Sequence, residues 1–175
     1  MNSDFGVITI HESLAAYFLQ VVDPTSDEVL TTVSAGQTVY LVLFAQVTTE
    51  LGQGFDGVFS AYADIGFDPD SVTIAGAISH SDIYEEVTFG QIEADRIQEA
   101  GGILGDEGII GGVGLEPVEV LRIPFVVENV GAGTEIVFDS IPADAGPIRA
   151  TTVLGFGVEV PAENQTHVGT SVTVV

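Results

Sequence analysis

The chain of 175 residues contains no cysteine, no tryptophan and no lysine, and it has only three arginines. Without cysteine, neither a disulfide nor a thiolate-bound metal can hold the fold, so stability has to come from a buried core. A chain of this length buries roughly 70% of the surface that its unfolded form exposes, which is enough to fold without such links. The missing lysine also excludes an internal lysine–asparagine isopeptide bond. From the length of the chain, we expect residues 1–175 to form one domain.

Positive charge is the scarcest property of the chain. Twenty-six acidic residues face the three arginines, and the formal net charge is −23. Nucleic acid and anionic membranes are bound through clustered lysine and arginine, so the composition excludes both as partners. Repulsion among the carboxylates weakens a compact state at low salt, and it is screened beyond about 8 Å at physiological ionic strength. The acidity favours an extracellular or cell-surface setting, although a need for solubility alone predicts the same composition.

Long apolar runs are absent as well. The longest, Val39 to Ala45, is far shorter than the roughly 20 residues that span a bilayer, so it predicts a core strand and no membrane insertion. It lies within Thr38–Val47, where apolar residues occur on both sides of the strand. Such a pattern is typical of a central strand that is covered on both faces.

The clearest pattern in the sequence is the stretch from Phe59 to Phe67. Apolar and polar residues alternate there with a period of two, which predicts a half-buried strand with Tyr62 and Asp64 on its polar side. Asp68-Pro69-Asp70-Ser71 follows and predicts a tight turn, because proline fixes φ and the flanking side chains can bond their own backbone.

Short apolar stretches separated by turn residues recur along the whole chain. They predict strands at 7–10, 15–22, 29–33, 38–47, 59–67, 72–74, 118–127, 134–138, 152–160 and 170–175. Residues 92–100 contain helix-favouring side chains and predict either two turns of helix or an extended segment. Pro124 lies inside a predicted strand and indicates an edge or a bulge. The pattern predicts an all-β protein, an antiparallel jelly-roll sandwich of about nine strands.

The order of these pieces resembles a known family. Residues 57–69, GVFSAYADIGFDP, resemble the G-x-F-A-A-Y-x-D-x-x-Y-D-P strand and turn of cohesin-like modules, relatives of carbohydrate-binding modules. Residues 133–144 resemble their G-x-x-x-x-x-F-x-S-x-P-A-D element. The likeness extends over residues 15–175, and it is greatest to copies in large secreted repeat proteins of planctomycete-type bacteria. Residues 1–14 would then be an N-terminal extension or an extra strand.

The resemblance implies a non-catalytic module in a larger secreted or cell-surface assembly. Cohesins bind dockerins, which are duplicated calcium-loop helices, across one face of a sheet. No dockerin-contact signature is matched here residue by residue, so the partner expected is a protein, either dockerin-like or a sibling module. Residues 79–114 depart most from a minimal cohesin. A self-assembling filament or surface-layer subunit is a further alternative, in which Asn2–Ser13 would pair with a neighbour's sheet edge and form a homo-oligomer.

Acidic loops are the candidates for a metal. Calcium prefers carboxylate and carbonyl oxygens, and the residues that could supply them are Asp64, Asp68 and Asp70 at the strand and turn, with Asp106 and Glu107 in the glycine-rich loop. No EF-hand pattern is present. The alternative is that Asp68 and Asp70 cap their turn while Asp64 lies in solvent.

Few residues suggest other chemistry. A polysaccharide site would need a planar row of exposed aromatic rings, and Tyr40 and Tyr62 are the candidates for this binding face. The three histidines have no zinc-site spacing, and none is placed in the sequence beside a plausible nucleophile. We therefore expect a protein-interaction or structural module and no enzyme, with a carbohydrate-binding module as the alternative.

Overall fold

A computed structural model describes residues 13–48, 57–105, 116–143, 146–155 and 157–175. Within these ranges the chain forms strands and one 3-10 turn, Ala162–Asn164, and no α-helix. No helix in this part of the chain is long and apolar enough to cross a membrane. The strands are β1 (Ala15–Val22), β2 (Thr32–Val33), β3 (Thr38–Val47), β4 (Val58–Phe67), β5 (Val72–Ile74), β6 (Ser79–His80), β7 (Glu86–Ile92), β8 (Arg96–Ile103), β9 (Val118–Val127), β10 (Glu135–Pro142), β11 (Thr152–Leu154), β12 (Val158–Val160), β13 (Gln165–Val168) and β14 (Thr170–Val174).

The strands build two sheets that pack face to face. Sheet A has the order β13-β1-β3-β9-β5, with β6 also paired to β9. Sheet B has the order β12-β11-β4-β10-β14-β2, and the β7–β8 hairpin joins it through β4. Most pairs are antiparallel, as predicted, but β1 pairs with β13 and β14 pairs with β2 in parallel. The all-β jelly-roll sandwich predicted from the sequence is confirmed.

The inner sides of both sheets share one apolar core. Phe125 of β9 is fully buried, and its ring meets Phe67 and Phe138 of sheet B edge to face, with 5.2 Å between centroids. Offset and edge-on contacts are the favourable arrangements for aromatic pairs. Two buried tyrosines keep a partner for the hydroxyl group: Tyr84 donates to the carbonyl of Val58 (2.6 Å), and the Tyr17 hydroxyl lies 2.7 Å from that of Thr152.

Strand β3 is central, as its composition predicts, and lies between β1 and β9. The interpretation of Pro124 as a mark of an edge or a bulge holds for one side of β9 only, because on the side that faces β3 it pairs with Tyr40 in regular register. Proline is tolerated on the other side of β9, since the chain leaves the sheet between Ile74 and Ser79. No neighbouring strand needs the missing N–H group, and the Pro124 carbonyl still accepts from Ala75.

Of the two alternatives predicted for residues 92–100, the extended segment is correct and the helix is wrong. Strand β7 ends at Ile92, a short turn follows, and β8 begins at Arg96. The free edge of β4 supplies long-range pairing to β8, and this outweighs the local helix preference of the segment. Gly101 lies inside β8, where an added Cβ would stand 1.8 Å from the Ala61 carbonyl oxygen.

Three expectations lie outside the described residues. They concern the strand predicted at 7–10, residues 1–12 of the N-terminal extension predicted at 1–14, and the part of the glycine-rich loop from 106 to 115.

Candidate interaction faces

Two of the acidic side chains predicted to hold calcium bond other groups of the chain. Asp68 accepts hydrogen bonds from the Asp70 amide (3.0 Å) and the Ser71 hydroxyl (2.7 Å), so it caps its own turn. The Ser71 hydroxyl, and then the Asp70 amide, lower the pKa of Asp68. Asp64 is not in solvent but is 2% exposed. The described residues contain no group of three or more potential metal ligands, and Asp106 and Glu107 lie outside them, so the calcium site stays a prediction.

The two tyrosines proposed for a binding face lie on different sheets. The Tyr62 side chain lies on the outer side of β4 and is buried there. Its hydroxyl donates to the Val87 carbonyl at 2.5 Å. Burial, and then the charge of Glu99, raise the pKa of Tyr62 to about 12. Tyr40 is partly exposed on the outer side of sheet A. The structure therefore does not bring these two rings into one platform.

The outer face of sheet A carries a different aromatic pair. Phe18 and Phe44 are opposite one another on β1 and β3, with ring centroids 5.2 Å apart and planes inclined by 10°. Because the rings stack on each other, they do not form a coplanar surface for a sugar. Beside them, the Arg122 guanidinium bonds both carboxylate oxygens of Glu119, at 2.6 and 2.8 Å, and also bonds Asp27.

The outer face of sheet B presents exposed aliphatic side chains. Val137 and Ile141 alternate with buried residues along β10 and are each 46% exposed. Val87 of β7, whose carbonyl bonds Tyr62, is 62% exposed, and Ile148 in the segment between β10 and β11 is 40% exposed. These are four of the ten large apolar residues that are exposed in the described part of the chain. Exposed apolar side chains on a strongly acidic chain make the outer face of sheet B the candidate interaction site.

Sequence reasoning missed a buried acidic residue on this side of sheet B. Gln98 and Glu99 of β8 together oppose Asp64 of β4, because the register shifts by one residue there. The Glu99 amide donates to the Asp64 carboxylate at 2.8 Å, and the Glu99 side chain is 0% exposed. No signal in the sequence distinguishes this glutamate from its neighbours, since both the bulge and the burial arise from residues distant in the chain.

An interior polar group was also missed. The Ser140 hydroxyl lies 2.9 Å from His167 Nδ1, a pairing that the sequence alone does not indicate. Gln165 Nε2 donates to the Val160 carbonyl, which leaves its Oε1 to accept from His167 Nε2 at 3.0 Å. Nδ1 therefore accepts the Ser140 proton. Ser140 is buried, so this pair serves the packing of the sandwich.

The environment of His167 keeps the imidazole neutral. Its ring stacks on the buried Tyr17 ring with 4.8 Å between centroids. Burial lowers the pKa of His167 to about 4, because the charged form loses hydration there.

Neither a family model nor a curated protein matches the sequence. Several solved structures have a similar fold. A type I cohesin of Pseudobacteroides cellulosolvens has a TM-score of 0.60 with 11% identity, over 93% of each chain. A Clostridium thermocellum cohesin solved in complex with a dockerin has a TM-score of 0.57 with 11% identity, over 91% of this chain and 99% of that chain. A cohesin module from a family 33 glycoside hydrolase of Clostridium perfringens has a TM-score of 0.57 with 10% identity, over 93% of this chain and 97% of that chain. The fold of this chain is cohesin-like.

Proposed function

We propose that the chain is a non-catalytic protein-binding module that recognises its partner through the outer face of sheet B. The observation that carries this proposal is the set of exposed aliphatic side chains on that face, Val137, Ile141, Val87 and Ile148, in a chain of net charge −23. The buried core of a protein interface is apolar and its rim is polar. Glu135 and Asp139 alternate with the two apolar residues of β10, so acidic groups lie next to the apolar side chains.

The partner proposed is a dockerin-like module or a sibling module. The cohesin-like fold supports this choice, because the Clostridium thermocellum cohesin was solved bound to a dockerin. The partner's contact surface should combine apolar residues with lysine or arginine, which complement the carboxylates of Glu135 and Asp139. Attraction between opposite charges raises the association rate more than the final affinity, so added salt should slow binding.

Calorimetric titration with a panel of calcium-loaded dockerin modules tests the proposal. We expect Ile141→Asp to weaken binding at least about tenfold, because a charge would be placed in the apolar centre of the interface. Val168→Asp is the matched control, since Val168 is 51% exposed on sheet A. Equal loss in both variants, or loss only in the control, would contradict the assignment to sheet B.

A polysaccharide is the alternative ligand. Insoluble cellulose and chitin should not retain the chain above the level of a non-binding protein. Retention that Tyr40→Ala abolishes would instead support a carbohydrate-binding module.

We also propose that residues 1–175 act as one domain of a larger secreted or cell-surface assembly. The acidic composition supports an extracellular setting. In the filament alternative, Asn2–Ser13 would mediate a homo-oligomer by strand addition. Sedimentation of the chain with and without these residues tests that alternative, and an unchanged mass would remove it.

A further inference from the structure

One segment of sheet B is held across β4 by side-chain contacts. We call residues 146–151, between β10 and β11, the strap. The amides of Ile148 and Ala150 both donate to the Glu99 carboxylate, at 2.9 Å to Oε2 and 2.6 Å to Oε1. At the end of the strap, the Ser60 hydroxyl of β4 donates to the Thr151 carbonyl at 2.7 Å. The strap is thus attached to the two neighbouring strands β4 and β8.

Glu99 occupies an unusual backbone conformation to reach the strap. Its φ angle is +48°, a region that side-chain-bearing residues rarely adopt and that persists only where surrounding contacts enforce it. Both of its carboxylate oxygens accept a strap amide, and its own amide is bonded to Asp64. Arg149, between the two bonded amides, also has a positive φ, of +52°. The positive φ angles of Glu99 and Arg149 therefore both occur at the same contact between β8 and the strap.

The strap packs closely against this carboxylate. A Cβ atom added to Gly146 would stand 2.3 Å from Glu99 Cδ and 2.5 Å from Oε2. Pro147 follows, and the Arg149 amide closes a turn on the Gly146 carbonyl at 3.2 Å. Proline at the second position of such a turn fixes φ in advance. The turn leaves Ile148 on the surface, 40% exposed, while its amide remains bound to Glu99.

We propose that Glu99 is the positioning residue of the sheet B binding face: it latches the strap over β4 and thereby presents Ile148 to the partner. The inference rests on the proposed function for the role of the face, but the latch itself can be tested without a partner. Removal of the Glu99 carboxylate should free the strap, while the two sheets remain folded.

The distribution of arginine provides a site-specific test. Trypsin cleaves after lysine or arginine, and the chain offers only Arg96, Arg122 and Arg149. Arg122 lies within β9, and Arg96, although exposed, is the first residue of β8 and pairs with Gly66, whereas Arg149 is exposed in the strap and belongs to no strand. Release of the strap therefore yields the fragments 1–149 and 150–175, while global unfolding also opens the other two sites. Intact mass spectrometry distinguishes these patterns.

We expect Glu99→Ala to raise the cleavage rate at Arg149 about tenfold or more, because two hydrogen bonds to a charged acceptor are lost. Gly146→Ala should have a similar effect from the opposite side of the contact, since its Cβ displaces the carboxylate. Glu99→Gln should lie between, because the amide group can accept only one of the two bonds. Glu159→Ala, which removes one exposed carboxylate from β12, should cleave as the unaltered chain does.

Two results would overturn the latch. One is an Arg149 cleavage rate that is equal in the unaltered chain, in Glu99→Ala and in Gly146→Ala. The other is a parallel increase at all three arginines, which would make Glu99 a residue of general stability only. If the latch is confirmed but Glu99→Ala binds dockerin modules normally, the strap is not part of the face. If no dockerin module binds at all, only the proposed function fails.

Discussion

The buried imidazole of His167 predicts a loss of stability in mild acid. In the unfolded chain His167 takes up a proton near pH 6.5, whereas in the folded chain its pKa is about 4. Because the folded pKa is lower, the contribution of His167 to the free energy of unfolding is fully present above pH 6.5 and decreases as the pH falls toward 4. The whole difference corresponds to about 3.4 kcal/mol at 1.36 kcal/mol per pH unit. The ring is partly open to water, so we expect about half of this.

Urea unfolding of the unaltered chain and of His167→Gln at pH 7 and pH 4.5 measures this effect. The carboxylates titrate in both proteins, so the difference between the two free energies of unfolding isolates the histidine. We expect this difference to shrink by about 1.5 kcal/mol between pH 7 and pH 4.5. A difference that stays constant, or an imidazole resonance that titrates near pH 6.5 in the folded chain, would refute the reasoning.

Three further substitutions test the packing by urea unfolding, and one tests the turn. Phe125→Ala should reduce the free energy of unfolding by about 3–5 kcal/mol, because a fully buried ring is lost; a cost below 1 kcal/mol would contradict its central position. Tyr17→Phe should cost about 1 kcal/mol by leaving the Thr152 hydroxyl unpaired, and no cost would mean that water replaces the bond. Gly101→Ala should prevent the β4–β8 pairing altogether, and a native far-ultraviolet spectrum with normal stability would contradict this. Asp68→Ala should destabilise the chain at pH 7 and less at pH 3, because the lowered pKa of Asp68 adds stability only while the carboxylate is charged; an effect independent of pH would contradict the capping role.

The strands were predictable where the pattern is local. β1, β3 and β9 begin and end where the sequence predicts, since each has apolar residues in a period of two or a dense apolar run between turn residues. The Asp68 turn is also local, because its hydrogen bonds join residues two and three positions apart.

The candidate face was not predictable in the same way. The alternation of apolar and polar residues in β4 correctly predicted that Asp64 lies on the side away from the core. It carries no information on the distant segments that cover that side. Glu99 receives its amide partners from residues 49 and 51 positions later in the chain. Ser140 meets His167 only because β13 joins sheet A by a parallel pairing with β1. In each case the deciding contact depends on topology, which periodicity does not encode.

The parallel pairing of β1 with β13 determines how the fold bears tension. β13 continues almost directly into β14, so β1 and this segment run in the same direction, with Ala15 opposite Gln165 and Phe18 opposite Val168. Traction on the start of β1 and on the end of β14 therefore pulls the paired strands past each other along their length. The interstrand bonds then share the load and break together, whereas in a hairpin pulled from its open end they would break one after another. The topology thus makes the sandwich a shear-loaded link.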